Sequence, residues 1–209
     1  MHPPAYSGQL FIVSAPSGVG KSTLIRRILD ERPKLKFSVS CTTRPPRPEE
    51  VHGKDYIFLA KEEFLNGISS GRFLEWAEVH GNYYGTDLNP VENWLKAGSD
   101  VLLDIDVQGA RLVRCVYPIA HTIFILPPSL NVLEERLRNR ATESEEQLAI
   151  RFATAQRELL EAPWYDYVVV NDSLEKAVAD LKSVLCAARC ARISQAPRLK
   201  AFLMAMMHA

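Results

Sequence analysis

No stretch of this chain reaches 18 consecutive apolar residues, which excludes a membrane-spanning helix on sequence grounds. The N-terminus, MHPPAYSGQL, also lacks the charged segment and apolar core of a secretion signal. Net charge is missing too, because Lys+Arg and Asp+Glu both number 25. No general basic field therefore argues for nucleic acid or an anionic membrane, and any anion site must come from local clustering. The four cysteines form no C-x-x-C pair and no framework of the kind that staples small secreted domains. Cys186 and Cys190 stand four apart, but no paired histidines or further cysteines join them as metal ligands. Free thiols in a reducing compartment follow, and with them the expectation of a cytoplasmic protein with no nucleic-acid or membrane partner.

What is present points to an enzyme-sized α/β protein. The 209 residues, 47% hydrophobic and 24% charged, suit one globular domain with an insertion. The chain is organised around FIVSAPSGVGKSTL, residues 11–24. A β-branched and aromatic run, Leu10 to Val13, reads as a buried parallel strand, and Ser22-Thr23-Leu24-Ile25 opens an amphipathic helix. The glycines between them sit on the strand-to-helix turn that a phosphate-binding loop requires. Gly18 and Gly20 let the backbone curl until several N–H groups face one anion, and the helix N-terminus adds partial positive charge. Lys21 would reach the β- and γ-phosphates of a nucleotide, and the Ser22 hydroxyl would ligate magnesium. One position departs from G-x-x-x-x-G-K-[ST]: Ala15 stands where the first glycine belongs. That position leads out of the strand, where φ stays negative and a Cβ is tolerated. The competing reading is an ordinary turn capped by Ser22 or Thr23.

The rest of the chain alternates strand and helix. The first helix runs to about Glu31. Residues 37–88 change texture: Phe37-Ser38-Val39, Tyr56 to Leu59 and Phe73 to Trp76 alternate with Pro- and Gly-bearing turns, the pattern of an inserted small sheet interrupted by a helix at Lys61 to Ser69. The α/β rhythm resumes with a helical piece at Glu92 to Ala97 and an apolar strand, Val101 to Asp106, ending in acids. A helix from Gln108 to Val116 and a strand from Thr122 to Leu126 follow, and Ser129 caps a polar-faced helical region, 129–162. Tyr167 to Val170 is a last buried strand, and an apolar stripe from Leu174 to Leu185 marks the last long helix. This order predicts a parallel, doubly wound sheet with its site at the strands' C-terminal ends. The tail, residues 189–209, could be a short helix packing on another subunit to make a homo-oligomer, or a frayed end.

A second constellation lies in VSCTTRPPRPEE, residues 39–50, where Arg44 and Arg47 stand three apart in a proline-stiffened segment. Two guanidinium forks at that spacing suit a second phosphate, because arginine binds oxyanions bidentately and stays charged. The adjacent tyrosines of GNYYGT, Gly81 to Thr86, offer hydroxyls to a ligand. With the first loop they make a nucleoside monophosphate site.

From about Gly8 to Ala188 the chain closely resembles the guanylate kinase family. The resemblance rests on APSGVGKST, SCTTRPPRPEEVHGKDYIF, FLEWAEVHGNYYGT, VLLDIDVQGA, FILPPS and VVVND. It implies a P-loop kinase core (8–36 and 89–188), a GMP-binding insertion of mixed β structure (37–88) and a helical lid (about 136–155). It implies transfer of the ATP γ-phosphoryl group to GMP, and to dGMP, giving ADP and GDP in purine nucleotide recycling, with magnesium. Ala15, Pro16, Ser17, Gly18, Val19, Gly20, Lys21, Ser22 and Thr23 form the ATP loop. Arg44, Arg47, Tyr56 and Tyr84 match positions that hold the GMP phosphate. Glu75 and Asp106 match carboxylates that accept from the guanine N1–H and amino group, while Ser40 and Thr86 match hydroxyls near its O6. Adenine presents no N1–H, and an unpaired buried carboxylate is costly, so Glu75 is the expected specificity residue. Its plainer reading is a surface glutamate on a strand.

Phosphoryl transfer needs positioning and charge stabilisation rather than a serine nucleophile or histidine base. Lys21, Arg44, Arg140 and Arg151 are the expected catalytic residues, with Arg136 a further lid arginine over ATP. Arg138 is expected only to bridge to nearby glutamates. Asn139 and Ala141 depart from the glycines common at those positions of the family. Asn171 matches a residue near the adenine, or it or Asp172 caps the final helix. Asp104 ends a buried strand near the loop, where it could meet magnesium with Ser22, through water. Three rivals are weighed. A GTPase would explain D-x-x-G at Asp106 to Gly109, but no N-K-x-D occurs. A kinase for another monophosphate differs only in the base site. A silent guanylate-kinase-like interaction module would not be expected to keep Lys21, Ser22 and the lid arginines together.

Overall fold

The computed structural model describes residues 8–79, 81–138 and 145–207. Its larger sheet has five strands in the order β2-β7-β1-β8-β9, all parallel. These are β1 (Leu10–Ser14), β2 (Lys36–Ser38), β7 (Val101–Asp104), β8 (His121–Leu126) and β9 (Tyr167–Val170). The chain steps from β1 out to β2 and back to β7, then to the other side through β8 and β9. That reversal beside β1 makes the sheet doubly wound and opens a crevice at the C-terminal strand ends. Every residue of β1 is buried. Phe11 and Val13 face one core with α1 (Lys21–Glu31) and α7 (Leu174–Cys190), while Leu10 and Ile12 face the other with α3 (Leu88–Lys96) and α4 (Val107–Val116). The period of two that sends alternate side chains to opposite faces therefore serves two helical layers.

The smaller sheet is mixed, in the order β4-β3-β6-β5. It comprises β3 (Cys41–Thr42), β4 (Ile57–Phe58), β5 (Phe73–Val79) and β6 (Asn82–Asp87), with α2 (Lys61–Ser69) packed on it. Phe64 of α2 stacks on Phe73 at 4.2 Å between ring centres and, with buried Cys41, forms a separate small core. Two helices, α5 (Leu130–Arg138) and α6 (Glu145–Leu159), stand where the lid is expected. Ser129 caps α5 by accepting from the Val132 N–H at 3.2 Å. Arg138 bridges to Glu134 and Glu145, the structural part foreseen for it. Arg140, Asn139 and Ala141 lie outside the described residues. The tail forms α8 (Arg192–Met207), which leaves Leu199, Phe202, Leu203 and Met206 exposed.

Five expectations need correcting. Tyr167–Val170 is not a buried strand: as β9 it closes the edge of the larger sheet, with Val168 and Val170 exposed, and an apolar run does not tell an edge from a centre. Phe37 does not open the inserted sheet: Lys36–Ser38 pairs with β7 at the edge of the larger one, and a three-residue run carries too little pattern to choose between sheets. The helix expected from Glu92 begins at Leu88, because the Asp87 carboxylate caps the Asn89 N–H. Asp106 lies beyond β7 and caps α4, accepting from the Gly109 N–H at 2.8 Å. Ser173, rather than Asn171 or Asp172, caps α7. In each capping case the oxygen nearest the orphan N–H groups wins, a choice of one or two residues that periodicity does not resolve.

Candidate active site

The loop after β1 takes its shape from two glycines. Gly18 has φ 88° and Gly20 φ 94°, the left-handed region that an L side chain rarely adopts. Gly20 is also the N-cap of α1, and no side chain caps that helix. The alternative of a turn capped by Ser22 or Thr23 is therefore not what forms. An uncapped helix end leaves N–H groups for an anion. Ala15 is partly buried against the larger core, so its Cβ packs inward at the start of the loop. Lys21 reaches across to Asp104 at the end of β7, Nζ to Oδ1 at 2.5 Å.

A cavity of about 340 Å³ runs from this loop to the smaller sheet. Lys21, Ser22 and Asp104 line it on one side, and Ser40, Tyr56, Glu75, Tyr84 and Asp106 on the other. The lining residues come from segments as far apart in sequence as Lys21 and Asp106, brought together because both sheets present their loops to the same crevice. Glu75 is 8% exposed at the cavity wall and accepts a 2.6 Å hydrogen bond from the Thr86 hydroxyl. Burial pushes its pKa up to about 7; the Thr86 hydrogen bonds oppose the rise, and nearby Asp106 adds to it. A surface glutamate is thus ruled out at this position. Thr86 itself is buried and turned to Glu75. Gly109 keeps the space behind the carboxylate open, since a Cβ there would lie 2.9 Å from Glu75 Oε2.

Arg44 is not extended into the cavity. Its Nη2 donates to both carboxylate oxygens of Glu50, at 2.7 and 2.9 Å, and Nη1 to the Pro45 carbonyl. The guanidinium lies 5.4 Å from the centre of the Tyr56 ring. Tyr56 in turn meets Tyr84 edge-on at 6.1 Å. Arg47 is exposed, and its backbone N–H donates to the same Glu50 carboxylate at 2.8 Å. Glu50 therefore holds the arginine segment in shape, a part the sequence reading missed. Its signal was an acid three residues beyond Arg47 in one stiffened stretch.

Helices α5 and α6 reach the loop after β1 through Arg151, Glu158 and Arg136. Arg151 of α6 donates to the Ser17 hydroxyl at 2.9 Å. Glu158, seven residues on and so on the same face of α6, was also overlooked. Burial raises its pKa, while the Lys21 charge and the Ser17 N–H favour its ionised form. Arg136 of α5 donates to the carbonyls of Val19 and Asn171. Asn171 follows β9 and donates its side-chain amide to Val19 O at 2.7 Å. For a metal, the loop offers oxygen: Ser22 and Asp104 share the cavity wall, donors of the hard type magnesium takes. Among the described residues no cluster of three or more His, Cys, Asp or Glu forms, nor does a phosphate-borne magnesium need one.

A family model described as guanylate kinase matches residues 7–188. The chain belongs to the guanylate kinase family. It is 52% identical over 180 residues to a guanylate kinase of Symbiobacterium thermophilum, covering 86% of this chain and 85% of that one. It is 50% identical over 183 residues to a guanylate kinase of Geobacter sulfurreducens, covering 88% and 90%. A crystal structure of guanylate kinase from Anaplasma phagocytophilum aligns with a TM-score of 0.76 at 33% identity, over 90% of each chain. The guanylate kinase match ends before α8, which the family model does not include. Among the described residues no helix is long and apolar enough to cross a membrane.

Proposed function

We propose that the chain is a working guanylate kinase, transferring the γ-phosphoryl group of ATP to GMP, with dGMP as a second acceptor. The observation that carries this is the single cavity shared by Lys21 and Ser22 on one side and Glu75, Tyr56, Tyr84 and Ser40 on the other. A cavity shared in this way lets donor phosphate groups and an acceptor nucleotide lie side by side.

In this reading residues 15–23 cradle the ATP phosphates through backbone N–H groups, and Lys21 leaves Asp104 to follow the charge on the migrating phosphoryl. Magnesium, arriving with ATP, would be held by the Ser22 hydroxyl and, through water, by Asp104, and it would neutralise charge on the β- and γ-phosphates. Guanine lies against Glu75 and Asp106, whose carboxylates accept from its N1–H and amino group, with Ser40 and Thr86 near O6. Arg44, Arg47, Tyr56 and Tyr84 take the GMP phosphate. Arg44 is already raised further in pKa by its Glu50 hydrogen bond, so its charge is secure while it exchanges one oxyanion for another. Arg151 brings the lid onto the loop, and Arg140 is assigned beside it on the family resemblance. Arg136 and Asn171 serve the donor side. Free thiols at all four cysteines suit a reducing compartment, and we assign the enzyme to the cytoplasm.

A panel of AMP, CMP, UMP and GMP as acceptors, followed by ADP release, tests the reading. GMP is expected to be the best acceptor by a wide margin, with Lys21→Met inactive. Best turnover with AMP would falsify the role of Glu75; full activity in a folded Lys21→Met variant would remove the loop from the chemistry.

A further inference from the structure

Asn171 is 7% exposed, and its side-chain amide nitrogen is committed to the phosphate loop. Nδ2 donates to Val19 O at 2.7 Å. The same carbonyl accepts from Arg136 Nη1 at 3.2 Å. The backbone around Asn171 is equally pinned: its N–H donates to Leu126 O at 2.8 Å, and its carbonyl accepts from both Nη atoms of Arg136, at 3.2 and 3.3 Å. Contact with the loop is close enough that a Cβ on Gly20 would lie 2.8 Å from Asn171 Nδ2.

The consequence comes from the planarity of one peptide. The Val19–Gly20 bond is trans, so the Val19 carbonyl and the Gly20 N–H point in opposite directions. Two donors outside the loop hold that carbonyl toward α5 and the end of β9. The Gly20 N–H is thereby aimed the other way, away from Asn171 and Arg136, one residue before α1 begins. A backbone anion nest works only when its N–H groups face inward, and its outward carbonyls then need donors of their own. We infer that Asn171 is a positioning residue, with Arg136 as its second brace, that presets the Gly20 amide for the donor phosphates, a role distinct from contact with the adenine base. This rests on the reading of residues 15–23 as the ATP phosphate site.

The two roles separate with a base-free probe. Binding of Mg-ATP and of inorganic tripolyphosphate is measured on the full chain, with GMP binding as the report of an intact fold. Asn171→Ala is expected to weaken ATP and tripolyphosphate by the same factor, roughly tenfold for one buried hydrogen bond, and to leave the preference for ATP over GTP as donor unchanged. Asn171→Asp is expected to be worse than alanine, because it sets a carboxylate against the Val19 carbonyl and near the phosphates. Loss of ATP affinity with tripolyphosphate binding intact, or a changed donor-base preference, would make Asn171 a base reader and overturn the inference. So would unchanged affinity for both probes. Should the Asn171 variants lose GMP binding as well, Arg136→Lys keeps the charge and removes one brace. It is expected to weaken both probes alike by a few-fold, and unchanged affinities there would also overturn the inference. If the unaltered protein bound neither ATP nor tripolyphosphate, the phosphate-loop reading itself would fall, a result distinct from all of these.

Discussion

Lys21 Nζ lies 2.5 Å from Asp104 Oδ1, joining the first residue of α1 to the last of β7. The parallel register sets Asp104 level with Val13, so the carboxylate stands at the foot of the phosphate loop. The lysine's charge is balanced within the site; in the proposed reading phosphate oxygens replace Asp104 when nucleotide binds. Lys21→Met is expected to cut kcat roughly 100- to 1,000-fold with GMP affinity retained, measured by steady-state kinetics and GMP titration. Because both groups are partly solvated, its effect on thermal stability should be small, about 1 kcal/mol or less.

Glu75 is expected to give guanylate binding a pH dependence. In the proposed guanine contact the carboxylate must be ionised to accept, and burial pushes its pKa up to about 7. kcat/KM for GMP should therefore rise with pH through about 7 and then level, with a one-proton slope. Stability runs the other way. A carboxyl raised in the folded state stabilises it below the ordinary carboxylate range and loses that contribution as pH climbs through about 7. Glu75→Gln should flatten both profiles and raise KM for GMP roughly 100-fold, compared by thermal melts and kinetics from pH 5 to 8.

Arg44 spans both Glu50 oxygens with Nη2, gives Nη1 to the Pro45 carbonyl and lies over the Tyr56 ring. Lysine can reproduce the charge but neither the fork nor the stacking. Arg44→Lys is expected to raise KM for GMP roughly tenfold and to leave KM for ATP unchanged. An equal rise in both constants would show that Arg44 does not belong to the acceptor side.

Gly109 sits behind the Glu75 carboxylate, the proposed specificity group. Gly109→Ala places a Cβ 2.9 Å from Glu75 Oε2, and that oxygen's partner is pinned by Thr86, so the carboxylate must turn. GMP affinity should fall several-fold in a protein that still melts as one unit, checked by titration and calorimetry. Unchanged affinity would mean that Glu75 has room to shift without losing the base.

The lid arginines should divide sharply. Arg151, which meets the Ser17 hydroxyl, is expected to cost roughly a thousandfold in kcat when changed to alanine. Arg138, exposed and tied to Glu134 and Glu145, should leave kcat within about twofold under the same change.

Most of the architecture was legible because it is periodic. The short β-branched and aromatic run Leu10 to Val13, bounded by a glycine turn, reads as a strand, and Leu24, Ile25 and Ile28 share one face of a helix, so the alternation of strands and helices was readable. The errors fell where period carries little information: Lys36–Ser38 is too short to declare its sheet, and the cap of α7 shifted to Ser173 within a run of candidate caps. At the site, Lys21, Ser22, Glu75, Tyr56, Tyr84, Ser40 and Asp106 do come to one cavity.

The sequence alone determined which chemistry is available: glycines for a left-handed loop, a lysine and serine at a helix start, arginines that stay charged, a carboxylate for a base. Those are properties of residue types and their local spacing. Tertiary structure decided what each group faces. Only packing could bury Glu75 and raise its pKa, bring Glu50 onto Arg44, or set Asn171 against the carbonyl of Val19, 152 positions away. Burial and long-range hydrogen bonds depend on the path of the whole chain, and no local pattern encodes them.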